Sequence, residues 1–329
     1  MAGLLRGVLG LAGALLLLGA GFGLFVGLFG AQAPEADTFA HFRLHFALAA
    51  VGAAVLGVLS SSWRLALTGL AAAGGGVALL GPALLEAQRP VDPAACGARV
   101  LTVATANVLY VNDFNAEAAA ALDRVDVDIL VTQETSEAFW NEASGLQQRF
   151  PHRVARLRTL TPTYNVVLWS KFPLRDGVEN NLSPDAPMRA QAIVDLGGGL
   201  ELGVVGLHFS LPAPIQQNQR SQGLALGALM NGLPDQRILL GDFNASPRSA
   251  QMRIVQEQSG SEIIGGLRRT WRGGYPNPSG PEPIPSALGN QIDHILVSEG
   301  IGVIAVDTFD IPGSDHLGVR ATIEVPEPC

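Results

Sequence analysis

Three short stretches of this 329-residue chain each close a run of apolar or small residues with a carboxylate. Leu239-Leu240-Gly241-Asp242-Phe243-Asn244 presents an acid and an amide two positions apart. Gln291-Ile292-Asp293-His294 and Gly313-Ser314-Asp315-His316 each set an Asp before a His. Carboxylate oxygens suit hard cations, and imidazole titrates near neutral pH, as a general base must. Assembled from distant parts of the chain, such groups point to metal-assisted attack of water on a phosphoester. His316 is the candidate base. Asp242 and Asn244 face the same way on an extended segment, so the carboxylate can orient the attacking water while the amide holds a phosphate oxygen. An ordinary Asx-turn would explain the Gly-Asp step by itself.

Strand ends are needed to carry these groups. Strand patterns fall at Val100–Ala106, Asp128–Gln133, Tyr164–Trp169, Ala190–Leu196, Leu200–Leu207, Arg237–Leu240, Ile292–Val297 and Val319–Val325. Helical spacing is expected over Asn115–Val125, Pro214–Gly232 and Ser249–Gln258. Strands outnumber helices, and hairpins mix with crossovers. That predicts an α/β fold with two packed mixed β-sheets flanked by helices, a four-layer α/β sandwich, over a doubly wound parallel sheet. The Gly- and Pro-rich run Gly273–Pro285 reads as an exposed loop beside the site, of the kind that often sets substrate preference.

The sandwich is preceded by a different material. Residues 1–89 read as a membrane region, 90–97 as a linker and 98–329 as the catalytic domain. Leu4–Phe29 is almost wholly apolar, and about 20 such residues cross a bilayer core. A cleaved signal peptide is the rival reading, but further apolar stretches at Phe46–Leu59 and Leu65–Leu85 argue for about three transmembrane helices, with two as the alternative. Arg6 precedes the first and Arg64 lies between the second and third, whereas Glu35 and Asp37 lie between the first two. Positive residues prefer the cytoplasmic side. Three crossings then leave the catalytic domain outside the cytoplasm, which for a bacterial inner membrane is the periplasm.

Charge and cysteines bear on the partners. Residues 1–89 hold three acidic and four basic side chains of the 29 and 21 in the chain, so the remainder carries nine excess carboxylates. An acidic domain argues against non-specific nucleic-acid binding, which needs a basic face. Arg149, Arg153, Arg156 and Arg158 form a short basic cluster, read either as an anionic-substrate patch or as a solvated face. Cys96 precedes the first strand of the domain and Cys329 ends the chain. If the first and last strands are antiparallel neighbours, these positions can meet as a disulfide in an oxidising compartment. Two unpaired thiols are the alternative.

Thr105-Ala106-Asn107, Gln133-Glu134, Gly206-Leu207-His208, Gly241-Asp242-Phe243-Asn244, Ile292-Asp293-His294 and Ser314-Asp315-His316 occur in that order, each at a strand boundary. The set resembles the endonuclease/exonuclease/phosphatase superfamily, which includes deoxyribonuclease I-like nucleases, neutral sphingomyelinases and inositol-polyphosphate phosphatases. The resemblance spans about residues 98–326 and rests on six motifs, any one of which alone would be weak. It implies a divalent cation, Mg2+ with Mn2+ as the alternative, held by Glu134, Asn107 and Asp315. It nominates Asp293 as the carboxylate behind His316, and His208 as a donor to the phosphate or to the leaving oxygen. Standing alone, Asn107 would read as a turn cap and His208 as polar surface. Arg189 and Asn165 are further candidates for substrate contact, Arg189 equally as an ordinary surface residue. His294, adjacent to Asp293, should point to the opposite face and is left out of the catalytic set. The implied substrate is a phosphoester of nucleic acid, lipid or a small molecule, with a phospholipid or inositol-phosphate head group as the alternative to a nuclease substrate. A non-catalytic adaptor would have lost a core residue, and none is missing.

Overall fold

A computed structural model describes residues 1–81, 96–157, 161, 165–179, 183–213, 215, 217–272 and 289–327. Most of the expected linker, Tyr164, Arg158, the loop Gly273–Pro285 and Cys329 lie outside the described residues. The chain divides into two compact units, one built on residues 1–84 and the other on most of the remainder.

The first unit is helical: α1 (Ala2–Val26), a short 3-10 turn (Gly27–Phe29), α2 (Pro34–Ala40), α3 (Arg43–Leu59) and α4 (Trp63–Leu80). Small residues line its contacts. Ala47, Ala50, Ala53, Ala54 and Gly57 are the buried apolar stripe of α3, and Ala66, Gly69, Ala73 and Gly76 are buried in α4. A Cβ on Gly69 would lie 2.8 Å from the Ala50 carbonyl oxygen, so the two backbones approach as only small residues allow. Large side chains such as Leu4, Leu11, Leu18, Val58 and Leu67 are exposed. Two helical stretches, Ala2–Phe29 and Trp63–Leu80, are long and apolar enough to cross a membrane. The expected middle span is instead α2 and α3, bent by 57°, and counts as a third only if the bent pair crosses as one. The bend falls at residues 41–42, where Phe42 leaves helical geometry with a φ of -106° and a ψ of 17°.

The second unit holds two six-stranded mixed sheets. The strands are β1 (Gly97–Asn107), β2 (Ile129–Gln133), β3 (His152–Val154), β4 (Val166–Ser170), β5 (Leu174–Glu179), β6 (Met188–Asp195), β7 (Glu201–His208), β8 (Arg237–Asp242), β9 (Ser261–Ile263), β10 (Asp293–Ser298), β11 (Gly302–Asp310) and β12 (Leu317–Glu327). One sheet runs β11-β12-β1-β2-β4-β3 and the other β5-β6-β7-β8-β10-β9. Between them lies a core that includes Leu101, Val103, Ile129, Val131, Leu168, Val204, Leu240 and Ile295. The outer face of the first sheet, with Ala104, Leu130 and Trp169, is covered by α5 (Asn115–Arg124), α6 (Glu137–Glu142) and α7 (Ser144–Arg149). The outer face of the second, with Val205, Leu207 and Leu239, packs on α8 (Gln219–Leu229) and α9 (Ala250–Ser259). These are the four layers of the expected sandwich. Strands buried on both faces, such as the Ile-Leu-Val-Thr-Gln of β2, carry continuous rather than alternating apolar residues.

β1 and β12 are antiparallel neighbours, with Gly97 opposite Glu327. Cys96 is disulfide-bonded. The helix expected over Pro214–Gly232 begins only at Gln219. α6, α7, β3, β5, β9 and β11 lie outside the elements expected from sequence pattern. β5 is almost wholly exposed and β11 half so, both at sheet edges with a bulge in their pairing. Their extension comes from the neighbouring strand rather than from local pattern.

Candidate active site

The register of the second sheet builds half of the site. Met188 on β6 pairs with His208 on β7, His208 with Asp242 on β8, and Asp242 with Asp293 on β10. Residues paired across strands share a face, so these four form a row on the inter-sheet side at one end of the sandwich. Gly241 is required there because a Cβ would lie 1.9 Å from the Leu207 carbonyl oxygen.

The other half comes from positions at or just beyond strand ends. The parallel pairing of β1 and β2 sets Asn107 beside Gln133, and Glu134 follows with a φ of 56°. A non-glycine residue in this left-handed region is held there by its surroundings. Asn165 supplies part of the hold, donating from Nδ2 to the Thr135 carbonyl (2.9 Å) while its own carbonyl accepts from the Thr135 N–H. The Thr132 and Thr135 hydroxyls pair at 2.8 Å beneath the Trp169 indole N–H. Asn107 Nδ2 donates to Glu134 Oε1 and to Asp242 Oδ2, both at 3.1 Å, and so joins the two sheets. The Tyr110 N–H donates to Glu134 Oε2.

His316 lies just ahead of β12. Its Nδ1 is 2.9 Å from Asp293 Oδ2, and its Nε2 is 3.8 Å from Asp242 Oδ2 and 3.9 Å from Asp315 Oδ1. His208 Nε2 stands 3.6 Å from Asp242 Oδ2 and 3.8 Å from Glu134 Oε1. Glu134, Asp242, Asp293, Asp315, His208 and His316 thus converge, as the sequence order implies. Burial opposes a charged His316, but the carboxylates of Asp293, Asp242 and Asp315 outweigh it and raise its pKa to about 10. Burial, reinforced by Asp293, lifts Asp242 to about 6 against the lowering pull of His316 and His208. Burial is also the main cause of the upward shift at Asp315. A cluster with this much negative charge in little solvent calls for a cation, whose charge would reverse these shifts.

Three buried groups offer ligand atoms within 4.8 Å of one another: Asp242, Asp293 and His316. Two of them are already hydrogen-bonded to each other. Among the described residues Asp315 Oδ1 is buried without a hydrogen-bond partner, and the Glu134 carboxylate lies near enough to push the Asp315 pKa upward. Glu134 and Asp315 are therefore the better oxygen donors for a hard cation. Asn107 Oδ1 accepts from the Leu109 N–H and its backbone carbonyl from the Ser314 hydroxyl, so it faces the carboxylates as a donor and orients Glu134.

The other expected residues separate. Asn244, at a φ of 48°, donates its N–H to Asp242 Oδ1 and its amide to the Phe209 carbonyl and to Asp242 Oδ2. In this structure it orients Asp242. Arg189 pairs with Leu207 and so lies on the outer face, away from the row. Asn165 braces the Glu134 turn. His294 points away from Asp293, as expected, and its Nε2 donates to the Ala245 carbonyl beyond the Asp242–Asn244 turn (2.7 Å).

Three supporting residues were missed. The Ser314 hydroxyl donates to the Asn107 carbonyl and accepts from the His316 N–H. The Thr270 hydroxyl accepts from the N–H groups of both Ile292 and Asp293 at 3.0 Å. The Trp271 indole N–H donates to Asp315 Oδ2 at 3.1 Å. Only the rarity of tryptophan, four in the chain, marked this last segment in the sequence.

A sandwich of two mixed sheets with carboxylates and histidines gathered at one end defines a class of fold that can be compared with known proteins. A family model described as the Endonuclease/Exonuclease/phosphatase family matches residues 104–316, and the chain belongs to that family. A family member from Bacteroides vulgatus superposes with a TM-score of 0.57 at 17% identity, covering 69% of this chain and 99% of its own. TDP2 from D. rerio, solved with a single-stranded DNA product, gives 0.55 at 16% identity, covering 68% of this chain and 98% of its own. Beta toxin from Staphylococcus aureus, solved with bound magnesium ions, gives 0.51 at 13% identity, covering 68% and 99%. Comparison with curated proteins gives no match.

Proposed function

We propose that the chain is a divalent-cation-dependent phosphodiesterase whose catalytic unit is anchored to a membrane. The observation that carries this reading is the His316–Asp293 pair set against Asp242, with Glu134 and Asp315 alongside. Asp293 holds the Nδ1 hydrogen and leaves Nε2 to take a proton from water. The water oxygen bonds to phosphorus in line with the departing ester oxygen, the P–O bond to that group breaks, and His208 is placed to donate the proton it needs. Asp242, fixed by Asn244 and Asn107, orients the attacking water. Glu134 and Asp315 would hold Mg2+ or Mn2+, which supplies charge neutralisation at the phosphoryl oxygens. The fold relationship to a magnesium-bound toxin and a DNA-bound enzyme supports the cation and the substrate class.

Placement follows from the amino-terminal helices. Their exposed Leu and Val side chains suit lipid, and Arg6 and Arg64 favour a cytoplasmic amino terminus in a bacterial inner membrane. A periplasmic catalytic unit then requires the bent α2–α3 pair to cross as a third span, and a disulfide-bonded Cys96 agrees with that side. The anchoring helices also favour a second reading, in which the phosphoester is a phospholipid or inositol-phosphate head group.

The test uses the full chain in detergent with bis-p-nitrophenyl phosphate. Cleavage should require Mg2+ or Mn2+, stop with EDTA, and fall about 10³-fold in His316→Ala. Single-stranded DNA, RNA and phospholipid vesicles then separate the two substrate readings. A folded protein that cleaves none of these with either metal sinks the assignment.

A further inference from the structure

We propose that Trp271 is a positioning residue for the cation site: its indole N–H holds Asp315 Oδ2 and thereby presents Asp315 Oδ1 to the cluster as an open ligand position. The inference rests on the reading of the site given above and adds a residue to it. Asp315 follows a turn and precedes the strand β12. Its backbone carbonyl is tied by the Arg272 N–H at 2.8 Å. Its carboxylate accepts from the Trp271 indole N–H at 3.1 Å. The second oxygen is buried, has no hydrogen-bond partner among the described residues, and lies 3.9 Å from His316 Nε2. Leaving a buried carboxylate oxygen unpaired is costly, so an arrangement that keeps it so is suited to receiving a positive charge. The nearby Glu134 carboxylate would share that charge.

An indole fits this task for a chemical reason. It donates one hydrogen bond, accepts none and carries no charge, so it can fix one oxygen without competing for the cation. Its own backbone is fixed on both sides. The Trp271 N–H donates to the Asn290 carbonyl, the residue bridges Asn290 and His316, and the Thr270 carbonyl accepts from the Leu317 N–H. The segment that orients Asp315 is thus the one whose Thr270 hydroxyl secures Asp293. One short stretch holds both carboxylates that flank His316.

The experiment compares the full chain in detergent with Trp271→Phe, which keeps a ring and loses the donor, and with Trp271→His, which restores a ring N–H. Mn2+ binding is read from the loss of the free-ion EPR signal, and folding from the melting temperature in EDTA. Supporting outcomes for Trp271→Phe are about tenfold weaker Mn2+ binding with an unchanged melting temperature in EDTA, and partial recovery in Trp271→His. Binding equal to wild type in Trp271→Phe overturns the proposal, as does weaker binding accompanied by a lower melting temperature and no recovery. Absence of Mn2+ binding in the wild type would instead overturn the cation-dependent reading on which the proposal stands. Should Trp271→Phe not fold, a Mg2+ titration of wild-type tryptophan emission decides. A change that disappears in Asp315→Asn supports the positioning role, and an emission that does not respond overturns it.

Discussion

His208, Asp242 and Asp293 sit opposite one another on three neighbouring strands, whereas Glu134, Asp315 and His316 stand just beyond strand ends. The first three inherit their positions from the backbone ladder of a sheet buried on both faces. The second three depend on side chains that reach across the site: Asn107 and Asn165 at Glu134, Trp271 at Asp315, and Ser314 at His316. The strand-borne half is placed by register, with Asn244, Asn107 and Thr270 trimming Asp242 and Asp293, whereas the loop-borne half has individual hydrogen bonds in place of a ladder. Loss of a single supporting group should therefore be felt mainly on the loop side.

The largest effects come from the reacting groups themselves and should not respect the division. Asp242→Asn on the strand side and His316→Ala on the loop side should each lower kcat by about 10²–10⁴-fold in the bis-p-nitrophenyl phosphate assay. A large loss in one and none in the other would mean that the two halves do not form one site. Next comes a support of the loop side. Ser314→Ala removes the hydroxyl between Asn107 and His316 and should cost about tenfold in kcat, with a melting temperature lowered by only a few degrees.

Two changes on the strand side should leave the chemistry alone. A Cβ on Gly206 would lie 2.6 Å from Val131 Cγ1 across the two sheets. Gly206→Ala should therefore destabilise by about 1–3 kcal/mol and lower the melting temperature by about 5 °C, while the folded fraction keeps its kcat. Met188→Leu, next to His208 in the row, conserves volume and should change kcat less than about twofold. Should Met188→Leu be as damaging as Ser314→Ala, the contrast between register and clasp fails.

The parts of this architecture that were legible in the sequence share a cause. Buried strands such as β2 and β8 are unbroken apolar runs, and a carboxylate at the end of such a run has few structural reasons to be there. Glu134 and Asp242 stood out on that ground, and Asp293 as the carboxylate that opens the apolar run of β10. β5 and β11 did not stand out, because an edge strand takes its extension from its neighbour and needs no apolar pattern of its own. Asn107 and Asn244 were recognised as site residues. Their hydrogen-bond directions, Asn107 toward Glu134 and Asp242 and Asn244 toward the Phe209 carbonyl, depend on partners far along the chain. Arg189 had a plausible composition and position, but the pairing of Arg189 with Leu207 turns it to the outer face.

The two units also differ in what local sequence can express. In the helical unit the small residues are buried and the large apolar ones exposed, so the pattern Ala-Gly inside and Leu-Val outside can be read directly from the chain. In the sandwich, residue type and spacing alone determined the apolar strands, the order of the carboxylate and histidine motifs, and hence the chemistry they suit. Only the tertiary structure decided which side chains meet. The row His208, Asp242, Asp293 is a matter of inter-strand register, and the clasps of Ser314, Thr270 and Trp271 join segments far apart along the chain. Such contacts leave no periodic trace in a sequence, because each needs only one donor or acceptor at one place, and many residue types can supply it.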